Sequence, residues 1–323
     1  MSDYQNAAGR VLLEIQKAIV GKTDVAEKIM MAVLAGGHVL VEDIPGTGKT
    51  TMALAFSKAM GLKEKRVQFT PDVLPGDLTG FTLYQKETEQ FVYQPGAVMC
   101  NFLLADEINR ASPKTQSALL EVMEERQVTV DGVTRKTGEP FVVIATENPV
   151  GSAGTQLLPE SQLDRFMICV KMGYPSVKEE VEILKRSRRG RTADSVEKVE
   201  TVQWLKEAQE KVREVYVHDV VYTYIAQLAK ATRERDDIVV GLSPRGAVAL
   251  TAMAKAGAYL KGRNYVIPDD VTDVFSCVAI HRIQLSARAK VGHIRIGDIL
   301  EQILAEVNPP SIKRGKADKW GRG

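Results

Sequence analysis

Val39-Leu40-Val41-Glu42-Asp43-Ile44-Pro45-Gly46-Thr47-Gly48-Lys49-Thr50-Thr51 reads as a buried strand, a glycine-containing loop and the first turn of a helix. That is how a phosphate-binding loop is built. Glycine lets the backbone come close to phosphate oxygens, and the amide N–H groups at the helix start aim at them. Lys49 would reach the β- and γ-phosphates of a nucleotide, and the Thr50 hydroxyl would take Mg²⁺. Pro45, Gly46, Thr47, Gly48 and Thr51 complete the expected cradle. One position departs from the general pattern, which wants glycine where this chain has Asp43. A Gly-x-Gly-Lys-Thr run in an ordinary surface turn is the competing reading, so the neighbouring sequence has to decide.

Moving outward, Asn101-Phe102-Leu103-Leu104-Ala105-Asp106-Glu107 is a hydrophobic strand that delivers two adjacent carboxylates at its carboxyl end. Parallel sheets bind ligands at that edge. Asp106 would hold the water shell of Mg²⁺, and Glu107 would polarise the attacking water. A strand ending in a polar turn would look the same in isolation. Phe141–Thr146 is a further buried strand, followed by Glu147-Asn148-Pro149, and Asn148 could orient the water and touch the γ-phosphate. Asn before Pro is also a frequent turn. In Leu163-Asp164-Arg165-Phe166, Arg165 is either a surface partner of Asp164 or a finger supplied to a neighbouring subunit. In Gly241-Leu242-Ser243-Pro244-Arg245, Ser243 caps a helix and Pro244 fills its first turn. Arg245 then lies at the positive end of the helix dipole, where a cation needs a reason such as a phosphate. A solvated surface arginine is the alternative.

Strands and helices alternate up to about Lys171, with strands expected at Val39–Val41, Val67–Phe69, Phe102–Ala105, Phe141–Ala145 and Met167–Val170. Alternation of this kind means a parallel sheet covered on both sides. After the linker Gly173-Tyr174-Pro175 the strand signal stops. Ser176-x-x-Glu179 is a capping box, with Val177, Val181 and Leu184 on one helical face. Helical patterns continue at Val202–Val215, Val220–Arg235, Pro244–Leu260 and Pro268–Ile280. The expected organisation is a nucleotide-binding α/β core over 1–173, a helical lid over 174–312 and a mobile basic tail over 313–323.

Composition narrows the class. With 44% hydrophobic and 26% charged residues, the chain is of ordinary globular type. A net charge of +2 argues against a surface wholly devoted to nucleic acid. Cys100, Cys169 and Cys277 are scattered and form no metal-ligand spacing, nor do the four histidines. No leader core or membrane-length apolar run is present, so a cytoplasmic setting is expected.

With all five motifs in this order, the chain resembles the AAA+ ATPases. Asp43, Asp106-Glu107-Ile108-Asn109-Arg110-Ala111 and Leu158-Pro159-Glu160-Ser161-Gln162-Leu163-Asp164-Arg165-Phe166 resemble the MoxR family specifically, and the resemblance runs from about Ala18 to Pro309. It accounts for Asp43, because MoxR-type loops carry Glu-Asp-x-Pro-Gly there. It implies an αβα sandwich of the P-loop NTPase kind, with a five-stranded parallel sheet followed by a small all-α lid, and a hexameric ring with ATP between subunits. It places Val20-Gly21 by the adenine, Lys49 and Thr50 in Walker A, and Asp106 and Glu107 in Walker B. Asn148 becomes sensor 1, Arg165 the arginine finger and Arg245 sensor 2. The implied task is ATP-driven remodelling or activation of protein complexes, often with a von Willebrand factor A-domain partner.

Two segments bear on that task. Phe81-Thr82-Leu83-Tyr84 and Phe91-Val92-Tyr93 flank polar Gln85–Gln90, as a hairpin interrupting a helix would, and this matches the helix-2 insert of this AAA+ branch. Val128–Thr134 is a second hairpin with Asp131-Gly132 at its turn. In related helicases such hairpins touch DNA in the pore. Here Glu87, Glu89 and Asp131 would repel phosphates, so nucleic acid is not the expected partner. A DNA translocase and a nucleotide-gated scaffold without useful turnover are the alternative functions.

Overall fold

The computed structural model describes residues 3–42, 46–148, 158–187 and 195–310. Helices α1 (Asp3–Ala18) and α2 (Thr23–Leu34) precede β1 (Val39–Glu42), which is followed by α3 (Lys49–Ala59) and β2 (Glu64–Gln68). Short α4 (Pro75–Thr79) leads into the hairpin of β3 (Phe81–Gln85) and β4 (Gln90–Gln94), then β5 (Phe102–Asp106) and α5 (Pro113–Glu125). A second hairpin, β6 (Gln127–Val130) and β7 (Val133–Lys136), precedes β8 (Val142–Glu147), α6 (Glu160–Leu163) and β9 (Ile168–Val170). The remainder comprises α7 (Val177–Ser187), α8 (Val202–Glu214), α9 (Asp219–Arg233), β10 (Ile238–Val240), α10 (Pro244–Leu260), α11 (Pro268–Ala279), β11 (Gln284–Leu285), α12 (Ala287–Val291) and α13 (Ile296–Glu306).

The central sheet has the order β2-β5-β8-β1-β9, and every pairing in it is parallel. Its inner strands are apolar because both faces are covered, and side chains alternate between the faces. Val39, Val41, Leu104 and Ile144 point into one apolar cluster with α1, α2 and α3. Leu40, Leu103, Ala105 and Val143 point into the other, against Leu119, Leu120 and Met123 of α5. The first cluster continues without a break through Val212, Leu228, Leu250, Phe275 and Ile299, so the later helices share a core with the sheet.

Four features differ from the sequence reading. The strand expected at 67–69 runs over Glu64–Gln68, an edge strand with alternating exposed charges that conceal its period. The first hairpin does not split a long helix; only α4 precedes it, and the chain then returns directly against α4. Gly96 permits this, because a Cβ there would collide with the Leu78 carbonyl. The helical part also contains an antiparallel ribbon of β10 and β11, so it is not wholly helical. Finally, α7 forms behind its capping box, with Ser176 N donating to Glu179 Oε2 at 2.6 Å. Its Val177, Val181 and Leu184 nevertheless remain exposed. Arg186, on the opposite side of the helix, ties it to the Gln16 and Lys17 carbonyls and turns the apolar stripe outward. The expected tail lies outside the described residues. Among those described, no helix is long and apolar enough to cross a membrane.

Candidate nucleotide site

Strands β1, β5 and β8 end side by side, and the candidate residues follow their carboxyl ends. Gly46 (φ 86°) and Gly48 (φ 91°) take the left-handed backbone that bends the chain into α3. A Cβ on Gly48 would stand 3.4 Å from Ile19 Cδ1 and 3.8 Å from Met172 Cε, so the loop rests on those two side chains. Lys49, Thr50 and Thr51 begin α3, whose first N–H groups have no partner within the helix. Asp43 and Pro45 lie outside the described residues.

Lys49 is buried and donates from Nζ to Asn148 Oδ1 at 3.1 Å. Asn148 Nδ2 in turn donates to Glu107 Oε1 at 2.9 Å. Thr50 Oγ1 donates to Asp106 Oδ2 at 3.3 Å, and Thr146 Oγ1 donates to Asp106 Oδ1 at 2.6 Å. Glu107 has φ 58°, an uncommon conformation for a side-chain-bearing residue. Its backbone N–H donates to Thr146 Oγ1 at 2.9 Å. Its Oε2 accepts from Gln68 Nε2 at 3.0 Å and from Arg110 Nη1 at 2.9 Å. Thus Lys49, Thr50, Asp106, Glu107 and Asn148 form one connected group.

This group suits a Mg-nucleotide. Among the described residues no cluster of three or more His, Cys, Asp or Glu could enclose a metal. One hydroxyl and one carboxylate match Mg²⁺, which keeps waters and takes phosphate oxygens. Val20 and Gly21 adjoin Ile19, which touches the loop; Gly21 (φ 67°) lies beneath the Glu179 carboxylate, and Lys22 Nζ donates to Tyr174 O at 3.0 Å.

Several contributors were not read from the sequence. Arg66 Nη2 lies 2.7 Å from Asp106 Oδ2, and both Arg66 and Gln68 belong to the edge strand, whose first half, Glu64–Arg66, lies ahead of the expected Val67–Phe69. Thr146 had a visible signal, being the first polar residue after the apolar run Val142–Ala145 of β8. Glu147 pairs in register with Glu42. Burial, then repulsion from Glu42, pushes its carboxyl up to about 7 against the attraction of Lys171 and Lys49.

Arg165 and Arg245 lie elsewhere. Ile168 of β9 is level with Val39, so Arg165 stands at the amino ends of the strands and Lys49 beyond the carboxyl ends. Arg245 lines the same cavity as Arg165, together with Gly36, Gly37 and His38 ahead of β1. Arg165 Nη1 donates to Leu120 O at 2.7 Å and lies 3.4 Å from Glu124. Arg245 Nη2 lies 3.1 Å from the same carboxylate. Asp164 is taken instead by Arg282 Nε at 2.6 Å and by the Ser243 hydroxyl. His38 is buried in the core, and burial lowers its pKa to about 4. His38 bridges Met123 O and Val143 N, and burial lowers His281 to about 3.

The profile of the ATPase family associated with various cellular activities (AAA) matches residues 38–168, and the AAA lid domain matches 230–303. The uncharacterised protein YeaC of Bacillus subtilis is 44% identical over 95% of this chain and 96% of its own. Chaperone MoxR1 of Mycobacterium tuberculosis is 38% identical over 94% of this chain and 82% of its own. A solved structure of a candidate ATPase from Cytophaga hutchinsonii superposes with a TM-score of 0.88 at 37% identity, covering 95% of this chain and 96% of its own.

Proposed function

Since this chain belongs to the MoxR family of AAA+ ATPases, we propose that it hydrolyses ATP with Mg²⁺ and uses the cycle to remodel or activate protein complexes. The observation that carries this reading is the connected group Lys49–Asn148–Glu107 beside Thr50–Asp106 at one sheet edge. Lys49 and the first turn of α3 bind the phosphates. Thr50 and Asp106 would hold Mg²⁺, which would supply positive charge against the phosphates. Glu107 accepts the proton of the attacking water. Gln68, Arg110 and Asn148 hold both its oxygens, so one of these contacts must open for it to face the water. Val20 and Gly21 border the base.

Arg165 and Arg245 act on the nucleotide of a neighbouring copy in a ring, six-membered by family analogy, because each faces away from its own cradle. The exposed stripe of α7 supports assembly, since contiguous apolar surface marks contact sites. Residues 174–312 serve as the lid of a cytoplasmic machine, and a von Willebrand factor A-domain protein is the partner expected by analogy. A protein client fits the hairpins better than DNA does. Phe81, Leu83, Tyr84 and Phe91 are exposed on the first, while Glu87 and Glu89 lie at its turn.

The test is Glu107→Gln. ATP binding should persist while steady-state phosphate release falls by about 10²-fold or more. Unchanged release would remove Glu107 from its role. Salt-sensitive stimulation of the ATPase by DNA would favour a translocase.

A further inference from the structure

Helix α5 leaves the nucleotide edge just after Glu107 and ends at the opposite edge. Its final turns carry Glu121, Glu124 and Glu125, and its last turn has no basic residue. Carboxylates are disfavoured there, because the helix dipole is already negative at that end. Arg245 is the reverse case, a cation in the first turn of α10. Each placement is unfavourable alone. Together they bring a carboxylate to two guanidinium groups. Glu124 Oε2 lies 3.4 Å from Arg165 Nη1, and Glu124 Oε1 lies 3.1 Å from Arg245 Nη2. The side chains of Glu124, Arg165 and Arg245 are 40%, 29% and 47% exposed, so the trio is open to an approaching molecule.

Two guanidinium groups this close repel one another unless an anion lies between them. Glu124 engages one terminal nitrogen of each, and a guanidinium has five N–H donors, so others remain for a second anion. The Arg165 Nε–H is buried and has no acceptor among the described residues. Its guanidinium is therefore held mainly by Glu124 and the Leu120 carbonyl. As a partly exposed ion pair, the contact contributes at most about 1 kcal/mol to stability. Its effect is on geometry.

We propose that Glu124 is a positioning residue: it holds Arg165 and Arg245 side by side as a two-armed receptor for the nucleotide phosphates of a neighbouring copy. This rests on the reading that the two arginines act across a subunit boundary.

The experiment mixes two full-length variants, each inactive alone. Lys49→Ala chains keep their arginines but have no nucleotide cradle; Arg165→Ala chains keep the cradle but lack the finger. Phosphate release recovered on mixing then comes from boundaries where an intact cradle meets intact arginines. Adding Glu124→Gln to the Lys49→Ala chain should cut the recovered kcat about tenfold, which corresponds to about 1.4 kcal/mol of barrier. The same substitution in the Arg165→Ala chain should cost far less. Glu124→Asp in the Lys49→Ala chain should restore part of the loss, because it keeps the charge, whereas Gln keeps only the shape. Equal loss in both arrangements, or recovery that survives Glu124→Gln, overturns the role of Glu124. Absence of any recovery in the parental mixture overturns the boundary reading and the proposal with it.

Discussion

Glu147 precedes Asn148 and faces Glu42 across paired strands, so two carboxylates share the sheet edge beside the phosphate loop. Its pKa is raised from 4.5 to about 7, first by burial and then by Glu42. The folded state therefore binds this proton more tightly than the unfolded chain does. The associated stability is complete below about pH 4.5 and is lost as the pH rises through about 7. Glu147→Gln, which is neutral at every pH, should raise the melting temperature of the nucleotide-free protein more at pH 8 than at pH 5. The gain should be on the order of 1–3 kcal/mol at the higher pH, and equal gains at both pH values would contradict this. At the same scale, Lys49, Asp106, Glu107 and Asn148 were legible because each ends or follows an apolar run. Arg66 and Gln68 were not, because they are exposed polar side chains on an edge strand and neither ends an apolar run. Glu124 carried no motif at all; only folding brings it to two arginines distant in sequence.

Element by element, caps were the most readable signals. Ser112, Ser176 and Ser243 each open the helix expected of them, with Pro113 and Pro244 in first turns. Periodicity located helices α8, α10 and α11 closely but could not say what their faces cover. Caps also differ in what else they hold. Thr201 accepts from Trp204 N at 3.1 Å and, among the described residues, its side chain serves only α8. Ser243 accepts from Gly246 N at 3.0 Å, and its hydroxyl also reaches Asp164 Oδ2 at 3.2 Å. Thr201→Ala should cost about 1 kcal/mol and Ser243→Ala nearer 2 kcal/mol in urea unfolding. An equal cost would show that the Asp164 contact is energetically silent.

Across the whole molecule, the later helices are joined to the sheet by a shared core and by one buried cation. Arg282 Nε contacts Asp164 Oδ1 at 2.6 Å, Nη1 reaches Met167 O at 3.1 Å, and Nη2 reaches Phe166 O at 2.5 Å. Burial lowers its pKa, and Asp164 opposes that shift. Removing it as Arg282→Met strands a carboxylate and several carbonyls, at a cost of about 3–5 kcal/mol by chemical denaturation. Arg282→Lys should recover little, because a single ammonium cannot reproduce the planar fork. A loss below about 1 kcal/mol would mean the join depends on apolar packing alone. This connection could not be read from the chain, because Arg282 lies in an unremarkable stretch and its acceptors beside the sheet, Asp164 and Phe166, are more than a hundred residues away.

The separation of Lys49 from Arg165 and Arg245 across the length of the strands has a kinetic consequence. If both ends contribute to turnover, the rate has an order above one in protein. Phosphate released per chain should climb as the protein is concentrated and level off once contacts between copies saturate. Dilution should reverse the effect at constant ATP, without unfolding. A rate per chain that stays flat across a hundredfold dilution, from a concentration where light scattering detects only single chains, would mean each copy works alone.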